Sequence, residues 1–365
     1  MEQMVNKTVY NFAPGPAMLP RAVMEQAQRE FLDWNATGMS VMEISHRSKE
    51  FSALAEESEA DLRDILGIPG NYQVLFLQGG ATSQFSMVPM NLLREGQVAD
   101  YILTGNWSKK AFKEAQHFGK VNMAASSEDV NFTTIPDRDT WKLGDQSAYV
   151  YYCSNETIGG LEFQNTPDVG ERPLVCDLTS HALSRPIDVS RYGIIIAGSQ
   201  KNIGPAGLVI VIIREDLIGK PSNHLPSLYD YAIMAENGSM FNTPATFSWY
   251  MASLVFKWIK AQGGLAAMER NAIARSGSLY QAIDASDFYS NPVDRRYRSR
   301  MNIPFTLADA ALDGKFLAEA KAAGLEALKG HRSVGGMRAS IYNAMPQAGV
   351  DSLIDFMRDF EKRYG

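Results

Sequence analysis

Cysteine is nearly absent from this chain, with 2 in 365 residues. A disulfide-scaffolded fold is thereby excluded. Cys153 and Cys176 each sit inside an apolar, strand-like run, where a thiol is expected to act as a small buried hydrophobe rather than as a nucleophile. A reducing, cytoplasmic compartment fits that usage. No apolar run approaches the ~20 residues that a membrane-spanning helix needs. The first residues, Met1-Glu2-Gln3-Met4-Val5-Asn6-Lys7, show no charged segment leading into an apolar core and cleavage site, so neither secretion nor membrane insertion is expected. An excess of positive charge is missing as well. With 35 Lys and Arg against 41 Asp and Glu, a formal net charge of -6, the protein has no general attraction for nucleic acid or anionic lipid. An anionic ligand must then be met by local basic residues. Internal repeats, low-complexity segments and both glycine-rich nucleotide signatures are absent too.

What is present describes a soluble globular protein, 45% hydrophobic and 21% charged, long enough for one large domain with a smaller partner. The turn-forming string Asn11-Phe12-Ala13-Pro14-Gly15-Pro16-Ala17 reads as an extended strap ahead of a helix beginning near Pro20. Apolar strands at 74–77 and 101–103 then alternate with amphipathic helices at 84–93 and 108–118, which predicts βα units and a mostly parallel sheet. Further strands are expected at 148–153, 174–176, 193–197 and 208–213. The link before the last is too short for a helical crossover, so that strand should run antiparallel to its predecessor. Helices at 246–262 and 265–283 meet at Gly263-Gly264, where the large domain is expected to hand over to the smaller. Strands near 301–305 and 337–341, a helix at 313–323 and a last helix from Val350 make the remainder an α+β arrangement.

One charge stands in a poor place for an idle ammonium. Ser199-Gln200-Lys201-Asn202 follows the apolar run that ends at Ala197, which puts Lys201 at the mouth of a buried strand. A second apolar run, Pro173-Leu174-Val175-Cys176-Asp177, ends in a carboxylate 24 residues earlier. Pyridoxal phosphate chemistry needs such a pair: the amine condenses with the cofactor aldehyde, and the carboxylate keeps the pyridine nitrogen protonated so that the ring takes up electrons. On spacing alone, a salt bridge at a sheet edge accounts for the pair equally well.

Other residues bear on the choice. Gly79-Gly80-Ala81-Thr82-Ser83-Gln84 lies between a strand and a helix, as either a phosphate cup of backbone amides or a plain tight turn. Trp107 opens a helix at a strand's carboxyl end, to stack on a cofactor ring or to pack on the core. Thr157, in Ser154-Asn155-Glu156-Thr157-Ile158-Gly159-Gly160, offers a hydroxyl at the same rim, although such residues fill any loop. His181 reads as an ordinary loop histidine. Three basic groupings, His46-Arg47, His331-Arg332 and Arg338, suit forked binding of an anionic substrate. Arg338 differs from the rest because it lies in a predicted strand, where facing a cleft would let it grip a carboxylate.

With these residues collected, the chain resembles the phosphoserine aminotransferase family, class V pyridoxal phosphate enzymes of fold type I. The resemblance runs essentially end to end. It is carried by Asn11-Phe12-Ala13-Pro14-Gly15-Pro16, Glu43-Ile44-Ser45-His46-Arg47-Ser48, Tyr152-Cys153-Ser154-Asn155-Glu156-Thr157 and Ser184-Arg185-Pro186-Ile187-Asp188-Val189. Ser199-Gln200-Lys201-Asn202-Ile203-Gly204-Pro205-Ala206-Gly207, Asn242-Thr243-Pro244 and Gly330-His331-Arg332 complete it. The resemblance implies an α/β fold: a strap at 1–18, a large cofactor-binding domain at 19–262 with a seven-stranded, mostly parallel sheet, and a small α+β domain at 263–365. It implies that Lys201 carries the cofactor and shuttles the proton, that Asp177 holds the pyridinium, that Trp107 stacks on the ring and that Thr157 contacts its phenolic oxygen. Ala81, Thr82 and Gln200 would bind the cofactor phosphate, joined by Asn242 and Thr243 from a second subunit of a homodimer with shared active sites. Arg338 would bind the substrate α-carboxylate. His46, Arg47, His331 and Arg332, reaching from the partner chain, would bind the substrate's phosphate or second carboxylate. Many members of the family carry an arginine where this chain has Thr82, which hydrogen-bonds but brings no charge.

The implied reaction is a ping-pong transamination in serine biosynthesis. L-Glutamate leaves its amino group and departs as 2-oxoglutarate, and 3-phosphohydroxypyruvate is then aminated to O-phospho-L-serine. A related phosphorylated 2-oxo acid of pyridoxine biosynthesis is a further candidate substrate, and no metal is expected. The nearest rival is an alanine-glyoxylate type transaminase, which has little use for four extra basic groups. A cysteine desulfurase needs a mobile thiol, whereas Cys176 lies in a predicted strand beside Asp177. A nucleotide-binding protein lacks its motifs here.

Overall fold

Apolar side chains on both faces of one sheet organise the large part of the molecule. The computed structural model describes residues 8–219 and 225–365. Its main sheet consists of β1 (Tyr72–Gly79), β2 (Val98–Leu103), β3 (Lys120–Ser126), β4 (Ser147–Cys153), β5 (Leu174–Asp177), β6 (Ile194–Gly198) and β7 (Gly207–Arg214). The spatial order is β1-β7-β6-β5-β4-β2-β3, and β7 alone runs against the others. The short link after β6 dictates that reversal, as expected from the sequence.

Successive side chains of a strand point to opposite faces, and here both faces are buried. Phe76, Ile102, Tyr152, Cys176, Ile195 and Ile210 look toward the helices Lys49–Leu66 and Thr246–Ala261. Leu77, Tyr101, Tyr151, Val175, Ile196 and Val211 look toward the helices Ala81–Leu92, Asn106–Ala115 and Tyr231–Glu236. Coverage on both sides explains why the central strands read as continuous apolar runs. The parallel strands deliver their carboxyl ends, Gly79, Leu103, Cys153, Asp177 and Gly198, to a single rim, where open α/β sheets bind ligands.

A second, antiparallel sheet pairs Asn302–Leu307 with Tyr289–Ser290 and with Met337–Ser340. The helices Gly264–Asp284 and Gln347–Tyr364 close its core through Leu279, Ile283, Leu353 and Phe360, and Phe12 is fully buried in the same cluster. The strand Tyr10–Asn11 pairs in parallel with Leu325–Glu326. The first part of the expected strap, residues 1–7, lies outside the described residues. Among the described residues no helix is long and apolar enough to cross a membrane.

Several of the described elements were not anticipated. The edge strand β3 is mostly half-buried and has no apolar run to reveal it. The helix Lys49–Leu66 does carry its signals: Ser48 caps it by accepting from the Phe51 N–H at 3.2 Å, and Gly67 stops it at φ 62°. The helix Tyr231–Glu236 is short, and the hairpin of Asn155–Glu156 with Leu161–Glu162 lies in what reads as loop.

Trp249 joins three elements of this core. Its ring stacks on Phe76 with centroids 4.4 Å apart, meets Phe51 edge-on at 5.9 Å, and its Nε1 donates to Ser58 Oγ at 2.6 Å. Trp249→Ala is expected to cost about 3–5 kcal/mol, read as a lowered urea midpoint by circular dichroism. Trp249→Phe, which keeps the stacking, is expected to lose less.

Candidate active site

The rim of the main sheet carries a partly open cavity. Seven residues singled out from the sequence line it together: Ala81, Thr82, Trp107, Thr157, Asp177, Gln200 and Lys201. Asp177 ends β5 and Lys201 lies just beyond β6, and these strands are neighbours in the sheet. A tight turn follows, in which the Ile203 and Gly204 N–H groups both donate to Ser199 O, at 3.2 and 2.7 Å. That turn aims Lys201 back into the rim.

Both charged groups are taken out of water. Lys201 is 6% exposed, and its Nζ donates to Thr157 Oγ1 and lies 5.8 Å from the Trp107 ring centroid. Burial lowers its pKa to about 8, against the opposing pull of the Asp177 charge. Asp177 is fixed by the Thr179 N–H, which donates to its Oδ1 at 2.9 Å. Burial raises the Asp177 pKa, while the Thr179 hydrogen bonds and the charge of Lys201 work to lower it. Cys153 also lines the cavity, and burial pushes its thiol well above the ordinary range, which makes it a poor nucleophile.

The other end of the cavity is built for an anion. The helix Ala81–Leu92 begins there on Gly80, with no side-chain cap and no acidic residue in its first turn, so its N-terminal dipole faces the cavity uncompensated. Gly198 permits the close approach of Gln200, since a Cβ at that position would lie 2.7 Å from Gln200 Oε1.

Arg338 is 5% exposed and stands beside the cavity, with Nη1 3.5 Å from the Thr157 carbonyl. Among the described residues it makes no ion pair, and its Nε has no hydrogen-bond partner. His331 and Arg332, which the resemblance assigns to a partner chain, lie in this chain near its own Trp107 helix. His331 Nδ1 is 2.8 Å from Ser333 Oγ, which accepts from Asn106 Nδ2 at 3.2 Å. His46, Arg47, Asn242 and Thr243 are not part of the cavity wall. Arg47 is exposed ahead of the helix Lys49–Leu66, while Thr243 offers its carbonyl to Gln78 Nε2.

The sequence model of the family described as aminotransferase class-V matches residues 9–353. The chain belongs to the class-V aminotransferase family. A phosphoserine aminotransferase of Pseudomonas entomophila (strain L48) is 56% identical over 360 residues, spanning 99% of this chain and 100% of that protein. A solved phosphoserine aminotransferase from Bacillus circulans subsp. alkalophilus matches with a TM-score of 0.97 at 46% identity, covering 99% of this chain and 100% of the other. A solved structure of the pyridoxal phosphate-bound phosphoserine aminotransferase of Trichomonas vaginalis gives 0.92 at 43% identity, over 96% of this chain and 100% of that one.

Pyridoxal phosphate fits the class-V cavity on its own chemistry. An amine able to lose its proton near neutrality, a buried carboxylate, an indole face and an open helix N-terminus are the partners of an aldehyde, a pyridine nitrogen, an aromatic ring and a phosphate. Trp107 Nε1 and Asn155 Oδ1 are buried at this wall without hydrogen-bond partners, leaving polar capacity for a ligand. Sequence reasoning missed one contributor, Glu156, and misjudged one histidine that lies outside this cavity. His181 is no surface histidine: it is 3% exposed, its Nε2 lies 2.5 Å from Ser154 Oγ, and burial holds its pKa well below the usual value. Glu156 is fully buried against the start of the Trp107 helix. Its partners lie 48 and 49 residues away, so no local signal reveals it.

The Lys201 shift has a measurable consequence for the cofactor-free protein. Its folded pKa of about 8 lies below the unfolded 10.5, so the unfolded chain binds more protons between those values and stability rises with pH there. Urea denaturation should show wild type gaining stability relative to Lys201→Met across that window. A difference that stays constant with pH would contradict the burial of a protonatable amine.

Proposed function

We propose that this chain is a phosphoserine aminotransferase, which moves the amino group of L-glutamate to 3-phosphohydroxypyruvate and yields 2-oxoglutarate and O-phospho-L-serine. One observation carries the reading. Lys201 and Asp177 are buried in a single cavity beside an arginine that makes no ion pair among the described residues, in a chain matched along nearly its whole length by relatives of that name.

Bound in the cavity, pyridoxal phosphate supplies an aldehyde carbon to carry the amino group and a ring to take up electrons. Asp177 would hold the ring nitrogen, Trp107 the ring face and Thr157 the phenolic oxygen. Ala81, Thr82 and Gln200 would hold the phosphate, with the charge of the anion met by the helix dipole rather than by a side chain at position 82. The depressed pKa of Lys201 leaves a useful fraction of its amine neutral near physiological pH, as a base for the substrate Cα proton needs. In the glutamate half the amine accepts that proton, and in the second half it returns one to Cα of the new amino acid. Burial of the amine keeps bulk water from competing. The Arg338 fork would orient the substrate α-carboxylate, since a buried guanidinium without a protein counterion gains most from a bidentate partner.

A second copy of the chain belongs to the same proposal. Asn242 and Thr243 would complete the phosphate end, and His46, Arg47, His331 and Arg332 would serve the substrate's distal anion. Support comes from the position of His46, Arg47, Asn242 and Thr243 outside their own cavity, and from Asn242 Oδ1, buried without a partner. Residues 19–262 would then form the large domain and 263–365 the small one, in a cytoplasmic homodimer whose buried cysteines are unpaired.

The purified, cofactor-loaded protein should lose its yellow absorbance on addition of L-glutamate but not of L-alanine, and the product should aminate 3-phosphohydroxypyruvate. Response to alanine alone would move the assignment to another class-V activity. Lys201→Ala is expected to abolish transfer while retaining cofactor. Arg338→Ala should lower kcat/KM about 100-fold for both amino acids, the size expected for a lost charge-assisted pair.

A further inference from the structure

Trp107 stands at the start of a helix whose N-cap residue offers no side-chain acceptor, although Ser108 Oγ folds back to accept the Thr104 and Gly105 N–H groups at 3.0 and 3.1 Å. The preceding residue but one, Gly105, has no side chain, and the helix Asn106–Ala115 has no acidic residue in its first turn. The missing acceptor comes from far along the chain. Glu156 Oε2 accepts the Trp107 N–H at 2.9 Å, and Oε1 accepts the Ser108 N–H at 2.8 Å and the Ser108 hydroxyl at 2.7 Å. The carboxylate is fully buried and meets donors only, and these hydrogen bonds favour its charged form against the upward push of burial on its pKa.

Gly105 gives independent support for this contact. Its φ of 170° is ordinary extended backbone, so conformation does not require glycine there. Space does: a Cβ at Gly105 would sit 2.4 Å from Glu156 Cδ and 2.6 Å from Oε2. The close approach of carboxylate to backbone therefore depends on the absence of that one carbon.

Glu156 is itself held firmly. It pairs with Leu161 across the hairpin of Asn155–Glu156 with Leu161–Glu162, and its carbonyl accepts the Gly160 N–H at 2.8 Å. The next residue is Thr157, whose hydroxyl receives Lys201 Nζ and whose carbonyl faces Arg338. One rigid peptide unit thus connects the indole on one wall of the cavity to the hydroxyl and lysine on another.

We infer that Glu156 is a positioning residue for the reaction, which fixes the plane of the Trp107 indole relative to Thr157 and Lys201 and so sets the tilt of the cofactor ring between them. This deepens the proposed function and rests on its reading of Trp107 as the ring-stacking residue. Glu156 does not line the cavity. It acts by anchoring the two residues that do.

The test uses full-length protein with pyridoxal phosphate as probe and compares Glu156→Gln, Gly105→Ala and Trp107→Phe. The first keeps size but places an amide donor against backbone N–H groups, and the second keeps the carboxylate but displaces it. Both are expected to weaken cofactor binding about tenfold, the scale of one lost charge-assisted hydrogen bond. Both should also lose visible circular dichroism of the bound cofactor in the same sense as Trp107→Phe, with kcat falling more than KM rises. A lowered urea midpoint with unchanged visible dichroism, affinity and kcat would make Glu156 a helix cap only and overturn the inference. Failure of both variants to fold would overturn it in the same way. If Trp107→Phe itself leaves the dichroism unchanged, the stacking assignment fails instead, so the two failures are distinguishable.

Discussion

An amine and a carboxylate desolvated in one cavity are the constraint from which the rest of this structure follows. Removing either ion from water costs several kcal/mol even after relaxation, and their mutual attraction repays this only with good geometry. Here the two do not clasp each other. Lys201 reaches Thr157, Asp177 is held by Thr179, and burial dominates the pKa of each. Such an arrangement is unfavourable for folding alone, a pattern that clusters at functional sites. The sheet supplies the compensation, because β4, β5 and β6 are buried along nearly their whole lengths and bring their ends to a common edge.

The same division explains what the sequence made legible. Strands covered on both faces must be apolar throughout, so 148–153, 174–176, 193–197 and 208–213 stand out, and the short link before β7 fixes its direction. A charge at the end of such a run is conspicuous for the same reason, and Lys201 and Asp177 needed no structure to be noticed. The edge strand β3 needs no apolar run and gave no signal. Glu156 and His181 carry ordinary local sequence. Their meaning lies in Trp107, Ser108 and Ser154, which only the completed sheet brings near. The helix Lys49–Leu66 is a different case, since Ser48, Gly67 and the spacing of Phe51, Leu54, Ala55, Ser58 and Leu62 announce it without tertiary information.

Rigidity around the cavity comes from polar contacts between distant segments. Asn155 Nδ2 donates to Ser180 Oγ at 2.7 Å and to Asn302 Oδ1 at 2.9 Å, tying the β4 rim to the second sheet. Asn302 Nδ2 in turn donates to Ser340 Oγ and Tyr342 Oη, both at 3.0 Å, and Tyr342 Oη donates to Pro14 O at 2.7 Å. Buried networks of this kind stabilise only when their members find partners, and they then specify one arrangement. The strand that carries Arg338 is thereby set at a fixed distance from Thr157.

Charge is distributed with the same economy. The chain is acidic overall, yet Lys110, His331, Arg332 and Arg338 lie near enough together that the other three all depress the His331 pKa, after burial itself. Clustered cations repel one another and are unfavourable while no anion is present. In the role proposed for His331 and Arg332, that repulsion would be relieved as a doubly anionic substrate enters, without a rigid fork at each end. In that role a histidine whose pKa is lowered by its neighbours would gain a proton as negative charge arrives, which would let one set of side chains accept a carboxylate or a phosphate without changing the geometry of Lys201, Asp177 and Trp107.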